Sequence, residues 1–158
     1  MITLRFRGFT IGKRPIIQVF FEIPALKISK MINFLVDTGS IFSAITEKEA
    51  MLMGIDCSML PDSKVETIGF GGFFKTKIIN KPVILTFRSE KGEEYKIRYS
   101  SGFIVILAPS NLSSEDRERF LGLTPNVLGM DVLTKFKIHI DKHTTVLELA
   151  QKKRKRKV

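Results

Sequence analysis

Apolar and polar residues alternate along the first part of the chain, and this alternation predicts β-strands. Ile2, Leu4 and Phe6 are separated by polar residues, as in a strand with one buried face. Residues 16–23 then form a run of β-branched, aromatic and other apolar side chains that ends at a proline, and residues 28–36 form another strand-length segment. We therefore predict an N-terminal strand followed by a β-hairpin.

Strand patterns recur through the rest of the chain. Residues 65–79 predict two strands around Gly69, Phe70, Gly71 and Gly72, because glycine readily adopts the positive φ angles of a tight hairpin tip. We expect this glycine-rich hairpin to be mobile. Other strands are predicted at residues 83–88, 95–99, 103–108, 136–141 and 144–149.

Three segments have the capping residues or the apolar spacing of short helices. Thr46 can cap the first of them, in which Leu52 is expected on the inner side. Ser113 or Ser114 can cap the second, whose first turn carries acidic residues at the positive end of the helix. Residues 129–133 indicate a third short helix after a glycine.

The composition is that of a folded protein, and most of its charge lies at one end. The chain has 158 residues, of which 44% are hydrophobic, so we expect one domain at residues 1–150. The net charge is +10, and six positive charges at residues 152–157 leave only +4 for the rest. The tail, residues 151–158, is either a disordered solvated end or an electrostatic contact for nucleic acid or an anionic surface.

Several classes of protein and site are disfavoured by the sequence. No apolar run reaches the ~20 residues of a membrane-spanning helix, and the N-terminal segment lacks the apolar core of a signal peptide, so the expected location is cytoplasmic. Cys57 is the only cysteine and is expected to be buried, with no role in catalysis or metal binding. His139 and His143 fall in a strand pattern without a third ligand, so neither a metal nor a cofactor is expected.

One segment carries candidate chemistry. An apolar strand delivers Asp37 into a tight turn formed by Thr38, Gly39 and Ser40. Apolar-apolar-Asp-Thr-Gly-Ser resembles the active-site signature of aspartic peptidases. Later in the chain Val127, Leu128 and Gly129 precede a short helix and resemble the second element of that family.

The resemblance is to the retropepsin-like, single-domain aspartic peptidases and covers nearly all of the chain before the tail. It implies that Asp37 is the catalytic group, that Thr38 and Gly39 hold two active-site loops in register, and that Ser40 steadies the outer carboxylate oxygen. It also implies that substrate is contacted by a flap and a channel. Those residues are Ile41, Gly69, Phe70, Gly71, Gly72, Val127, Leu128 and Gly129. Asp131 is expected to be structural, as a cap or flank of the short helix.

The chemistry of this family needs two carboxyl groups, one to take a proton from water and one to donate to the scissile carbonyl. The chain has one such motif and no internal repeat, so the second Asp37 must come from another subunit. We expect an all-β fold, a closed barrel-like domain with one or two short helices, that forms a homodimeric endopeptidase acting on peptide or protein substrates. The alternative is a catalytically quiet dimeric module of the same fold that binds peptide, protein or nucleic acid.

Overall fold

The computed structural model describes residues 1–65, 67–69 and 72–152. Within these residues the chain is built mainly from strands, with three α-helices. The helices are α1 (Glu47–Leu52), α2 (Ser114–Leu123) and α3 (Met130–Leu133). The strands are β1 (Ile2–Ile11), β2 (Arg14–Ile23), β3 (Ile28–Val36), β4 (Ala44–Thr46), β5 (Thr67–Gly69), β6 (Gly72–Phe74), β7 (Thr76–Ile79), β8 (Val83–Arg88), β9 (Glu94–Tyr99), β10 (Phe103–Ile106), β11 (Asn126–Leu128), β12 (Lys137–Ile140) and β13 (Thr144–Gln151).

Eleven strands belong to one sheet, and β5 pairs with β6 in a separate hairpin. The main path of the large sheet runs β12, β13, β1, β2, β3, β11, β4, β10, β7, while β8 pairs with β2 and β9 beside it. The predicted all-β class is confirmed. The path does not close into a barrel, because no pairing joins its end strands β12 and β7 within the described residues. All three segments with helical signals form helices, one more than the one or two expected for the fold as a whole.

The centre of the sheet places two strand ends side by side. β2 and β3 form the predicted antiparallel hairpin, and β3 then runs parallel to β11 with Val36 opposite Leu128. β11 in turn pairs with β4. From Ile32 to the end of β3 every second side chain is buried, with Ile32, Phe34 and Val36 no more than 5% exposed. This buried strand therefore fixes where the residue after Val36 emerges.

Phenylalanine dominates the core beneath the sheet. Phe6, Phe21, Phe34, Phe87 and Phe103 are all fully buried. Phe6 and Phe87 make an edge-to-face contact with ring centroids 5.8 Å apart, and Phe21 and Phe103 make another at 5.3 Å. Such aromatic pairs add to the stabilisation that burial alone provides. The core thus holds the strands that carry the site on a rigid base.

The longer helices begin at the predicted caps. The hydroxyl of Thr46 accepts a hydrogen bond from the Glu49 N–H at 3.2 Å, and that of Ser113 accepts one from the Asp116 N–H at the same distance. Leu52 is 64% exposed, so its predicted inner position was wrong. In the part of the chain described, no helix is both long and apolar enough to span a membrane. The cytoplasmic location stays a prediction.

The domain extends slightly beyond its expected end, and the one cysteine is buried. Residues 153–158 lie outside the described residues, so the role of the basic tail remains a prediction. β13 extends to Gln151, one residue beyond the expected domain boundary. Cys57 is buried as predicted, and burial is the main cause that raises the pKa of its thiol. Across the described ranges, no group of three potential ligands could hold a metal ion.

Candidate active site

The Asp37 loop, residues 37–42, follows β3 directly and is anchored by backbone hydrogen bonds. The Asp37 N–H donates to the Leu128 carbonyl at 3.0 Å, which extends the pairing of β3 with β11 by one residue. The Ser40 N–H donates to the Asp37 carbonyl at 3.2 Å and closes the turn. The backbone of Asp37 therefore has a defined position at the end of a buried strand.

The carboxylate of Asp37 is oriented by the glycine two residues later. Its Oδ1 accepts a hydrogen bond from the Gly39 N–H at 2.9 Å. A side chain at position 39 would begin 3.2 Å from that same oxygen and would crowd it. The Ser40 hydroxyl instead donates to the Phe42 carbonyl at 2.7 Å. The expected contact between Ser40 and the carboxylate is therefore not made, because the turn directs this hydroxyl along its own backbone.

Gly129 packs against the Asp37 loop at a distance that only glycine permits. A Cβ at this position would lie 2.5 Å from the Phe42 carbonyl oxygen and 2.8 Å from that of Ser40. The next N–H group, of Met130, donates to the Ser40 carbonyl at 2.8 Å, and the following one donates to the Ile41 carbonyl at 3.1 Å. The start of α3 thus uses its free N–H groups to hold the Asp37 loop.

An open groove of about 510 Å³ lies beside Asp37. This volume is within the range of small-molecule binding sites. The groove is lined by Asp37, Gly39, Ser40, Phe42, Ala44, Phe74, Ile104, Ile106, Phe120, Leu123, Thr124, Pro125 and Val127. Asp37 is the only ionisable residue among these described lining residues, so the site presents one carboxylate to an otherwise largely apolar cleft.

The fold of the chain resembles that of a protein whose structure has been solved. The chain is similar to a retropepsin-like aspartic protease from Rickettsia conorii, whose crystal structure superposes with a TM-score of 0.52. The two are 22% identical, and the alignment covers 93% of this chain and 99% of that one. The chain has a retropepsin-like fold.

A second solved structure is less similar to the chain. The EIAV protease in complex with the inhibitor HBY-793 is 19% identical and has a TM-score of 0.45, with 80% of this chain and 91% of that one covered. No protein-family model matches the chain, and no curated protein matches it by sequence. At these identities, the likeness to the Rickettsia conorii protein establishes the retropepsin-like fold and no more.

Within the retropepsin-like fold, the predicted site residues separate into three groups. Asp37, Gly39, Ser40 and Val127 line the groove, whereas Leu128 and Gly129 are buried behind it and serve as supports rather than substrate contacts. Two exposed residues of the Asp37 loop, Thr38 and Ile41, lie outside the set of lining residues.

The glycine-rich hairpin forms as predicted in its two strands. Gly69 and Gly72 face each other as the last pair of β5 and β6. Phe70 and Gly71, which were predicted to form its tip, lie outside the described residues. Phe74, at the other end of β6, lines the groove. The base of the hairpin therefore borders the groove that holds Asp37.

Ser43, Tyr99 and Asp131 form a partly buried polar network next to Gly129. Ser43 accepts a hydrogen bond from the Gly129 N–H at 2.9 Å and donates to Asp131 Oδ1 at 2.7 Å. The Tyr99 hydroxyl donates to Asp131 Oδ2 at 2.8 Å. Burial, together with this bond to Asp131, raises the pKa of the Tyr99 phenol well above its usual range. Asp131 was predicted to cap or flank the short helix, but it lies inside the first turn of α3, where Gly129 is the N-cap residue. Its partners Ser43 and Tyr99 come from segments that no local pattern connects.

Tyr99→Phe is expected to lower the free energy of unfolding by about 1–3 kcal/mol, because it leaves a carboxylate oxygen of Asp131 without its donor. Urea denaturation followed by circular dichroism measures the change. The matched control is Tyr95→Phe on the same strand, whose ring contacts with Phe6 and Phe136 survive the loss of its hydroxyl. Equal stability of the two variants would show that the bond to Asp131 contributes nothing.

The groove has one carboxylate among its described lining residues, and this limits the acid–base catalysis that the chain can perform there. A single carboxylate can accept a proton from water, but it cannot at the same moment donate one to the carbonyl that the water attacks. The described part of the chain supplies no other ionisable side chain to the groove wall. A peptidase mechanism at this groove therefore requires a second acid in addition to the described lining residues.

Proposed function

We propose that the chain is an aspartic endopeptidase that acts as a homodimer, with Asp37 of each subunit at one shared active site. The observation that carries the proposal is the placement of the Asp37 carboxylate in the wall of an open apolar groove, at a strand end of a retropepsin-like fold. Peptide or protein segments are the proposed substrates, because the groove is open to solvent and its lining is mostly apolar.

In the proposed mechanism, the two Asp37 carboxyl groups share one proton. Two carboxylates pressed together cannot both ionise without strong repulsion, so one stays protonated over an acidic range of pH. The ionised group takes a proton from water while the protonated group donates to the scissile carbonyl. The Gly39 N–H holds one oxygen of each carboxylate, which leaves the other oxygen for water. The exposed Thr38 hydroxyl is available to bind the loop of the second subunit.

Exposed apolar side chains around the Asp37 loop support a dimer at this place. Ile41 is 70% exposed, Phe42 is 42% exposed and Met130 is 36% exposed. Surface of this kind gains about 25 cal/mol for each Å² that an interface removes from water. A two-fold axis beside Asp37 would bury the same patch on both subunits and bring the two carboxylates together.

The glycine-rich hairpin is proposed as a flap, with Gly69, Phe70, Gly71 and Gly72 at its free end. Its base borders the groove through Phe74. A loop that closes over bound substrate excludes water from the reacting groups, and glycine allows the backbone changes that closure requires.

The proposal is tested by incubating the purified full-length chain with a library of unfolded peptides from about pH 3 to 7, the range in which a shared proton is expected. Mass spectrometry then identifies the products, with and without a pepstatin-type inhibitor. We expect inhibitor-sensitive cleavage that is strongest on the acidic side. No cleavage at any pH by a chain that sedimentation shows to be dimeric would favour the catalytically quiet binding module.

A further inference from the structure

Helix α2 is firmly attached to the body of the domain, although none of its side chains is fully buried. The Arg117 guanidinium forms an ion pair with Glu47 at the start of α1. The other oxygen of Glu47 accepts a hydrogen bond from the Ala108 N–H at 2.9 Å, at the beginning of the segment that leads to α2. The side chain of Glu47 is only 13% exposed, so water screens these contacts weakly. The helix therefore has a defined place beside the groove.

Phe120 connects α2 to the base of the glycine-rich hairpin. Its ring packs against the ring of Phe74, with centroids 5.3 Å apart and an angle of 42° between the planes. Both side chains line the groove that holds Asp37, and both are half-buried. Since Phe120 lies on α2 and Phe74 on β6, the pair joins the helix to the base of the glycine-rich hairpin.

The side chains of α2 that line the groove are apolar, and its ionisable side chains lie outside the groove lining. Phe120 and Leu123 line the groove, whereas its ionisable side chains do not. Arg117 pairs with Glu47, and Arg119 lies 3.8 Å from Glu115 along the helix surface. The helix contributes only apolar side chains to the cleft.

We propose that α2 is a specificity wall, in which Phe120, Phe74 and Leu123 accept a large apolar side chain of the peptide beside the scissile bond and reject charged ones. The inference rests on the proposed peptidase function, because the groove is the one that contains Asp37. An aromatic or branched aliphatic side chain replaces water on an apolar wall, while a charged side chain loses hydration there without a partner. Pockets of this kind discriminate between side chains by about 10- to 200-fold.

Cleavage profiles of peptide libraries test the wall directly. We expect Phe120→Ala to lower kcat/KM for peptides with a large apolar residue next to the cleaved bond by about 10-fold or more, with a smaller effect on peptides that have small residues there. Leu123→Lys places a cation in the wall and is expected to shift the cleavage preference toward acidic residues. Because Leu123 is 66% exposed, this change should preserve the fold. Thermal melts check that both variants are folded.

The matched control is Leu121→Ala, on the same helix. Leu121 lies in a different surface depression with Met51 and Leu52, outside the groove of Asp37. Its replacement is expected to leave the cleavage profile unchanged. An active wild type whose preferences are the same in Phe120→Ala and Leu123→Lys would overturn the specificity wall and leave the peptidase proposal intact.

A binding experiment tests the same surface without cleavage. The full chain carrying Asp37→Asn is immobilised and presented with a random peptide library, and the retained peptides are sequenced. We expect enrichment of aromatic and branched aliphatic residues that is lost when Phe120→Lys is added and kept when Leu121→Ala is added. Enrichment of charged peptides, absence of any enrichment, or the same enrichment with Phe120→Lys would contradict the inference even if the wild type cleaves nothing.

Discussion

A dimer that carries Asp37→Asn in only one of its two subunits is expected to hydrolyse peptides about 10²- to 10⁴-fold more slowly than the wild type, which is the usual contribution of a general acid or base. The reason is that the proposed site needs both carboxyl groups at once. Asparagine keeps the shape and can still accept from the Gly39 N–H, but it can neither take nor donate a proton under these conditions. Two copies joined by a flexible linker allow each subunit to be changed separately, and a fluorogenic peptide substrate measures the rate.

The matched control for this experiment is Asp56→Asn in one subunit of the same linked dimer. Asp56 also accepts from the backbone two residues later, since the Ser58 N–H donates to its Oδ1 at 3.0 Å, but it lies outside the groove. Its replacement should leave the rate unchanged. A linked dimer with one Asp37→Asn subunit that retains half of the wild-type rate would mean that each subunit works alone, and the shared site would be wrong.

Gly129→Ala is expected to destabilise the chain by about 1–3 kcal/mol, the usual cost of forcing extra atoms into a packed region. The added Cβ would lie 2.5 Å from the Phe42 carbonyl oxygen, so the start of α3 must move away from the Asp37 loop. That movement stretches the hydrogen bond from the Met130 N–H to the Ser40 carbonyl. Because a displacement of about 1 Å in a catalytic group can cost 10²-fold in rate, peptide hydrolysis should fall by at least that factor.

Thermal and urea denaturation measure the stability of Gly129→Ala, and the peptide assay measures its activity. The control is Gly122→Ala in α2, where a Cβ would meet no atom within 4 Å and where alanine favours the helix by up to about 1 kcal/mol. This control should be as stable as the wild type or more so. If Gly129→Ala were as stable and as active as the wild type, the close approach of Gly129 to the Asp37 loop would contribute nothing to stability or catalysis.

Local patterns in the sequence predicted the elements from which the site is built. The alternation of buried residues in β3 and the turn chemistry after it placed Asp37 at a strand end, as the structure shows. The cap at Thr46 was also predicted, and Ser113 is one of the two residues predicted for the second cap, because a cap depends on a few neighbouring residues. The glycine-rich strands were predicted for the same reason, since a hairpin pairs residues that are close along the chain.

Patterns within one segment gave less guidance about side chains whose neighbours come from elsewhere. Leu52 was expected inside and is exposed, because the surface available to α1 depends on what packs against it. Ser40 was expected to contact the carboxylate of Asp37 and bonds to Phe42 instead. The burial of Leu52 and the hydrogen-bond partner of Ser40 both depend on which groups lie nearby in the folded chain. The spacing of apolar residues along the sequence does not predict those neighbours.

The sequence by itself determined the β-rich class and the strand and turn that present Asp37. The second carboxyl group from another subunit, which the family resemblance implies, stays a prediction. Only the tertiary structure decided that α2 brings Phe120 to Phe74 beside the groove, and that Tyr99 and Ser43 meet at Asp131. The physical reason is distance along the chain. Strands, turns and caps are stabilised by neighbouring residues, whereas these contacts join segments far apart in sequence and form only when the whole sheet has packed.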